Sequence, residues 1–150
     1  MRIAIGSDHA GFRLKDDIKT LMESLGHEVV DLGCHCTDSV DYSDYALGVC
    51  EQVVAGTVEK GVLICGTGIG MSIAANKIPG IRCALVSDTF SAKATREHND
   101  SNVLALGERV IGPGLALDIV KIWVETEYSR VSRHDNRINK IKQIEEKYSR

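Results

Sequence analysis

What this sequence lacks narrows the class of protein before any motif is considered. No apolar run approaches the roughly 18 residues that a membrane-spanning helix needs. The start of the chain, Met1 to Ile5, reads as a core strand with no signal peptide, so we expect a cytoplasmic protein. The five cysteines form an odd set without signs of export, which indicates free thiols rather than a disulfide framework.

The chain also lacks a strong excess of charge, internal repeats and low-complexity segments. Its 21 acidic and 18 basic side chains give a formal net charge of -3, which argues against a general nucleic-acid binder because such proteins neutralise many phosphates. The tail is the basic part, since residues 128–150 carry a net charge of +4 and the rest carry -7. With 150 residues, of which 43% are hydrophobic, we expect one domain spanning 1–150.

Short apolar runs of strand type alternate with helical patterns along the chain. The strand-like runs cover residues 3–5, 29–32, 62–65, 83–86 and 103–106. Helices are predicted over 14–25, 44–54, 70–76, 91–98, 113–127 and 135–148. The alternation predicts a doubly wound, Rossmann-like α/β fold with a five-stranded parallel sheet, and ligands bind such sheets beyond the carboxyl ends of the strands.

The first strand ends in Gly6-Ser7-Asp8-His9-Ala10-Gly11, which is not a nucleotide-binding P-loop because a carboxylate and an imidazole replace its Lys-Ser/Thr. Asp8 is a candidate to hydrogen-bond a sugar hydroxyl, or else it caps the following helix. His9 is a candidate to bind phosphate or to move a proton.

The third strand ends in Cys65-Gly66-Thr67-Gly68-Ile69-Gly70, which places a thiol beside a glycine loop and a helix start. Free N–H groups there stabilise a thiolate, an oxyanion or a phosphate. Two other interpretations remain open. One is a dinucleotide site, for which Asp88 lies 20 residues after Gly68, although the spacing Gly-x-Gly-x-Gly departs from the usual fingerprint. The other is an ordinary buried core cysteine.

Three further groups of residues are candidates. His98 and Asn99 lie between a helix and the fifth strand, where both are expected to reach the same crevice. Arg133 and Arg137 lie four apart on a predicted helix, so they either grip a phosphate or form a solvated basic face. Cys34-His35-Cys36 lacks the ligand spacing of a zinc site, so no metal is expected.

Taken together, six segments closely resemble the ribose-5-phosphate isomerase B family over essentially the whole chain. They are Gly6-Ser7-Asp8-His9-Ala10-Gly11-Phe12, Asp41-Tyr42, Cys65-Gly66-Thr67-Gly68-Ile69-Gly70, Ala74-Ala75-Asn76-Lys77, Arg96-Glu97-His98-Asn99-Asp100 and Arg133-His134-x-x-Arg137. The resemblance implies the reversible isomerisation of ribose 5-phosphate and ribulose 5-phosphate through a cis-enediol, in the pentose phosphate pathway and without metal or organic cofactor. A side activity on allose 6-phosphate is a further expectation.

The resemblance also implies a role for each matching residue. Cys65 is the base, Thr67 shuttles protons between the two sugar oxygens, and His98 assists opening of the furanose ring. The enediolate is held by backbone N–H groups of the glycine loop, at Gly66, Gly68, Ile69 and Gly70. The remaining substrate contacts are Asp8 and Asn99 on sugar hydroxyls, Tyr42 on the pocket wall, and His9, Arg109, Arg133 and Arg137 on the phosphate.

Members of this family are homodimers or dimers of dimers. The resemblance therefore implies a C-terminal helix packed on a partner subunit, with residues such as His98 and Arg109 supplied by the neighbour. The sequence departs from the family pattern at Val131-Ser132, in place of Gly-Gly, and at Ser43, in place of Pro. Because valine resists a positive φ, these departures leave open the choice between five- and six-carbon sugar phosphates. A non-catalytic partner subunit of a hexose-phosphate isomerase is the alternative.

Overall fold

The structure, a computed structural model, describes residues 1–149. Its five strands are β1 (Arg2–Ser7), β2 (Glu28–Asp31), β3 (Lys60–Cys65), β4 (Cys83–Leu85) and β5 (Val103–Gly107). Its six helices are α1 (Phe12–Ser24), α2 (Tyr42–Val54), α3 (Ile69–Ala75), α4 (Thr89–Asn99), α5 (Pro113–Glu125) and α6 (Ser132–Tyr148). Every predicted strand and helix is present, with ends that differ by up to three residues.

The strands form one parallel sheet in the order β2-β1-β3-β5-β4, which confirms the predicted doubly wound fold. After β1 the chain builds outwards to β2 on one side, and it then crosses to β3 on the other side. The loops that follow β1 and β3 are therefore neighbours, and this switch point is where open α/β sheets bind ligands.

Side chains that alternate along the strands feed two separate hydrophobic cores, one on each face of the sheet. Ile5 and Ile64 point to the face covered by α1 and α5, where Trp123 is fully buried. Leu63 and Cys65 point to the opposite face, which is covered by α2 and α3. Because strands covered on both faces need apolar residues at nearly every position, β3 and β5 read as continuous apolar runs in the sequence.

The last helix contributes little to these cores. Only His134 and Ile138 of α6 are buried, and the helix packs against α4. Ile141, Ile144 and Tyr148 remain exposed on its second half. The structure contains a single chain, so the expected packing of this helix on a partner subunit stays a prediction. None of the helices within residues 1–149 is long and apolar enough to cross a membrane.

Lys60 is a buried cation at the start of β3, with only 7% of its surface exposed. Its ammonium group donates to the carbonyl oxygen of Val124 at 3.2 Å and lies 5.2 Å from the ring centre of Trp123. Burial, together with the nearby positive charge of Arg96, lowers the pKa of Lys60 from 10.5 to about 8. Folding therefore disfavours the charged form of this side chain.

This burial makes stability depend on pH. Between pH 8 and 10.5 the unfolded chain holds the Lys60 proton more tightly than the folded chain, so this residue raises the free energy of unfolding as pH rises. We expect the free energy of unfolding of the parent, minus that of Lys60→Met, to rise by up to about 1.4 kcal/mol per pH unit from pH 8 to 9. Urea denaturation at each pH measures it, and a constant difference would contradict the assignment. Cys50 and Cys83, whose pKa values burial raises, are common to both proteins and cancel.

Candidate active site

The loops after β1 and β3 meet at the switch point of the sheet. Asp8 donates its backbone N–H to the carbonyl oxygen of Ile64 at 3.2 Å, which ties the two strand ends together. A β-carbon on Gly11 would lie 2.5 Å from the same carbonyl oxygen, so only glycine lets the start of α1 approach β3 this closely. The loops after β1 and β3 are therefore adjacent at the carboxyl edge of the sheet, where the crevice is predicted.

Cys65 is the last residue of β3 and is only 4% exposed. Its sulfur accepts a hydrogen bond from the backbone N–H of Gly68 at 3.0 Å. Gly68 has φ +76°, and a β-carbon there would lie 2.5 Å from a methyl carbon of Leu85 and 2.9 Å from the backbone of Leu106. The loop that aims this N–H at the sulfur therefore depends on glycine.

A hydrogen bond of this kind distinguishes Cys65 from the other buried thiols of the α2 and α3 face. Burial alone raises the pKa of Cys50 to about 12, and burial raises the pKa of Cys83 as well. A backbone N–H directed at sulfur favours the thiolate, because negative charge on an acceptor strengthens the hydrogen bond. Cys65 is thus packed like a core residue and, unlike an ordinary core cysteine, is also equipped to hold charge.

Thr67 and Tyr42 line the open side of this loop. The hydroxyl oxygen of Thr67 accepts a hydrogen bond from the N–H of Ile69 at 3.3 Å, so its own hydrogen is available to another acceptor. A β-carbon on Gly70 would lie 2.7 Å from the ring of Tyr42, which places the phenol directly against the glycine loop. Both side chains are exposed at the mouth of the crevice.

Arg109 approaches the glycine loop from the turn after β5. Its backbone N–H donates to the carbonyl oxygen of Gly66 at 3.0 Å, and its Nη1 lies 3.5 Å from the position that a β-carbon on Gly66 would occupy. Arg109 therefore reaches the loop of its own chain. This placement corrects the expectation that a neighbouring subunit supplies it, because the end of β5 lies directly beside the end of β3.

Asp8 and His9 both make contacts that were not specified by their positions in the sequence. One carboxylate oxygen of Asp8 accepts from the N–H groups of Ala10 and Gly11 at 2.8 and 3.1 Å, so the residue stabilises the turn before α1. The Nδ1 atom of His9 accepts from the N–H of Val40 at 3.2 Å, which leaves the ring proton on Nε2. His9 thereby ties the irregular segment 33–41 to the crevice and keeps an N–H free for an anion.

His98 and Asn99 lie at the opposite end of the sheet from Cys65. The guanidinium Nε of Arg82, just before β4, donates to the carbonyl oxygen of Asn99 at 3.0 Å. Asn102, just before β5, accepts from the N–H of Gly61 at the start of β3. The end of α4 therefore sits beside the amino ends of the strands.

His98 and Asn99, which were expected to reach the same crevice, therefore do not reach the Cys65 crevice of their own chain, and the supply of His98 by a neighbouring subunit stays a prediction. A helix between two parallel strands runs antiparallel to them, so its last residues return to the amino edge of the sheet. The six residues of β3 span about 16 Å between the two edges. In a single chain, the imidazole and the thiol are on different sides of the molecule.

The same edge carries the two tail arginines. Arg133 and Arg137 are exposed on the first turns of α6, near His98, and neither guanidinium has a hydrogen-bond or ion-pair partner within residues 1–149. Val131 caps this helix with an ordinary φ of -78°, and the left-handed backbone falls on Arg130 instead, with φ +53°. The Val131 substitution therefore introduces no strain at the start of α6.

The dinucleotide interpretation is not supported by the position of Asp88. Its carboxylate accepts from the N–H of Ser91 at 2.7 Å and caps α4, and these hydrogen bonds lower the pKa of Asp88. Within residues 1–149, no three His, Cys, Asp or Glu side chains converge as metal ligands would. The thiol of Cys34 donates to the carbonyl oxygen of Cys36 at 3.1 Å.

Sequence analysis missed Gly107, the last residue of β5. A β-carbon there would lie 2.6 Å from the backbone carbon and oxygen of Thr67. The glycine loop therefore passes over β5 at a distance that only glycine permits. The available signal was a glycine that ends a buried apolar strand, which marks a close backbone approach.

Comparison with known proteins adds a consistent result. A family model described as Ribose/Galactose Isomerase matches residues 3–141. A Bacillus subtilis (strain 168) protein, described in general terms as a sugar phosphate isomerase, is 62% identical over 148 residues, which cover 98% of this chain and 99% of that protein.

Solved structures match over the same length. The structure of Clostridium thermocellum ribose-5-phosphate isomerase B is 52% identical, has a TM-score of 0.97, and is matched over 99% of this chain and 100% of its own. That of ribose-5-phosphate isomerase B from Mycoplasma genitalium, with bound ribulose 5-phosphate, is 36% identical with a TM-score of 0.92, over 97% and 96% of the two chains.

The close approach at Gly107 yields a stability prediction. We expect Gly107→Ala to lower the free energy of unfolding by about 1–3 kcal/mol, because the new methyl group meets backbone that cannot rotate away. Gly114→Ala is the matched control, since its methyl group enters open space in the first turn of α5, where alanine is favoured by up to about 1 kcal/mol. Urea denaturation compares the two variants with the parent. Equal effects of both substitutions would contradict the close approach.

Proposed function

The chain belongs to the ribose/galactose isomerase family, and from that membership we propose that it interconverts ribose 5-phosphate and ribulose 5-phosphate through a cis-enediol. The observation that carries the proposal is the N–H of Gly68 directed at the sulfur of Cys65, in a crevice that Thr67, Tyr42 and Arg109 also line. No metal or organic cofactor takes part in the mechanism we propose.

In this mechanism Cys65 is the base. Its thiolate takes the proton from C2 of the open-chain aldose, and the electron pair of the C–H bond forms the enediolate. The thiol then returns the proton to C1, which gives the ketose. The Gly68 N–H, which donates to the sulfur at 3.0 Å, stabilises the negative charge on the atom that acts as the base.

Thr67 moves the second proton. Because the Ile69 N–H donates to its oxygen, the hydroxyl hydrogen is free to pass between O1 and O2 of the sugar as the carbonyl group changes position. Because the N–H groups of Gly68 and Ile69 already donate to Cys65 and Thr67, the developing negative charge is assigned to the other backbone donors of the loop, at Gly66 and Gly70. The imidazole of His9 and the guanidinium of Arg109 supply donors for the phosphate.

The remaining functional groups require a second copy of the chain. His98, assigned to ring opening, and Arg133 and Arg137, assigned to the phosphate, lie at the amino edge of the sheet. We propose a homodimer in which this edge of one protomer faces the crevice of its partner, so that a two-fold axis creates two equal sites. Exposed apolar side chains around the crevice, Tyr42, Ile69, Ile73, Leu85 and Phe90, support its being covered.

A non-catalytic subunit of a hexose-phosphate isomerase is the alternative function. A subunit without chemistry has no physical need for a thiol that accepts a backbone N–H beside a free hydroxyl. The test measures turnover of ribose 5-phosphate, allose 6-phosphate and galactose 6-phosphate in parallel, each with a chelator present. Turnover of ribose 5-phosphate supports the isomerase over the non-catalytic subunit. If folded, oligomeric protein turned over none of the three, the missing-partner alternative would be favoured.

The first prediction of this mechanism concerns the base. Cys65→Ala should lower kcat for ribose 5-phosphate by at least about a thousandfold, because it removes the only proposed proton acceptor at C2. Binding of the sugar phosphate, followed by calorimetry, should persist because the arginines and His9 are intact. Cys36→Ala removes an exposed thiol as the control and should leave turnover unchanged. Full activity of Cys65→Ala would refute the role of the thiol.

The second prediction concerns the shared site. Cys65→Ala and His98→Ala should each be inactive, but equal amounts mixed with subunit exchange should recover about a quarter of parental activity, because a quarter of the sites draw both intact residues. Mixing Cys65→Ala with Thr67→Ala is the control. Both substitutions lie in the crevice of one protomer, so no site is whole. Recovery in neither mixture would place the entire site within one chain.

A further inference from the structure

His134 is the most buried ionisable side chain near His98, with 3% of its surface exposed. The two imidazole rings are 4.5 Å apart between centres, and their planes are tilted by 42°. His98 belongs to the last turn of α4 and is exposed, whereas His134 lies in the first turn of α6. The buried ring of His134 thus packs against the exposed ring of His98 from the protein side.

A hydrogen-bonded chain fixes the orientation of the buried ring. The hydroxyl of Ser129 donates to the carbonyl oxygen of Glu97 at 2.6 Å, which uses its single hydrogen. The same oxygen lies 2.9 Å from Nδ1 of His134, so in this contact Nδ1 is the donor. The neutral ring therefore carries its proton on Nδ1 and leaves a lone pair on Nε2.

The surroundings keep this ring neutral. Burial lowers the pKa of His134, and the neighbouring charges of His98, Arg133 and Arg137 lower it further. The groups that face the ring of His134 are His98 and the carbonyl of Glu97 on α4, Ser129 in the turn before α6, and the two arginines on α6. A neutral neighbour lets His98 carry a proton without repulsion at close range.

We propose that His134, held by Ser129 and the carbonyl of Glu97, is a positioning residue that aims His98 for opening the sugar ring. This inference rests on the proposed function and on the role assigned there to His98. In the step concerned, the imidazolium of His98 gives a proton to the ring oxygen O4 as the C1–O4 bond breaks. The O1 hydroxyl loses its proton to water, and the aldehyde forms.

The proposal separates two reactions that share one active site. Ribose 5-phosphate is a furanose and must open before Cys65 can act. Ribulose 5-phosphate cannot form such a ring, because its O5 carries the phosphate, and exchange of its C1 hydrogen with solvent needs only the base. A residue that serves ring opening alone affects the first reaction and spares the second.

The experiment compares these reactions in His134→Phe, which keeps an aromatic ring but cannot bond to Ser129. Turnover of ribose 5-phosphate should fall about tenfold or more, mainly in kcat, as expected when a general acid is misaligned. Deuterium incorporation at C1 of ribulose 5-phosphate in D2O, followed by proton NMR, should stay within about twofold of the parent. Equal losses in both reactions, or unchanged turnover of ribose 5-phosphate, would overturn the proposal.

Ser129 provides a second pair of variants that leaves every substrate-facing side chain in place. Ser129→Ala breaks the chain to Glu97 and should produce the same selective loss on a smaller scale, whereas Ser129→Thr keeps the hydroxyl and should restore turnover. Equal turnover in Ser129→Ala and the parent would also overturn the role of the chain. If the parent catalysed neither turnover nor exchange, the proposed function itself would fail, which is a different outcome.

Discussion

The hydrogen bond from the Gly68 N–H to the Cys65 sulfur is the interaction on which the rest of the site depends. It requires a residue with left-handed backbone conformation three positions after the end of β3. That residue, Gly68, lies so close to Leu85 and to the backbone of Leu106 that it has no room for a side chain. The neighbouring strand β5 has a glycine, Gly107, at the point where any side chain would overlap the backbone of Thr67. Gly68 in the loop after β3 and Gly107 at the end of β5 therefore define the path of one loop, and this loop determines where the thiol and the hydroxyl lie.

The second constraint is the direction of the chain in an α/β sheet. Loops after strands gather at the carboxyl edge, and helix ends before strands gather at the amino edge. The chemistry we propose for this protein uses both edges, with Cys65 and Thr67 at one and His98, Arg133 and Arg137 at the other. No rearrangement of side chains brings these groups together, because the rigid sheet lies between them. The homodimer we propose would bring the two edges together, and in that proposal catalysis depends on assembly.

Contacts within each edge resolve alternatives that the sequence left open. The Asp88 carboxylate caps α4, so its position 20 residues after Gly68 has a local structural cause. Asp8 stabilises the turn before α1 but does not cap the helix, whose N-cap is Gly11, so the capping interpretation is wrong. His134, which had no role in the sequence interpretation beyond its place in a motif, is the buried neighbour of His98. Each of these polar side chains is explained by the contacts it makes.

The sequence by itself determined the fold and the family, because both depend on local patterns. Alternating apolar runs specify parallel strands and their covering helices, and the motifs around Asp8, Cys65 and His98 were sufficient to identify the resemblance, which the whole-chain matches confirm. The carboxyl-edge position of Cys65 followed from its place at the end of a predicted strand. Because His98 precedes a strand, the same reasoning would have placed it at the amino edge of the sheet.

Only the tertiary structure decided the remainder. The contact of Gly107 with Thr67, the bond between Val40 and His9, the place of Arg109 beside its own glycine loop, and the pairing of His98 with His134 all join residues that are far apart in the chain. Such contacts depend on how elements are packed rather than on what each element prefers, and a one-dimensional pattern contains no distance between them.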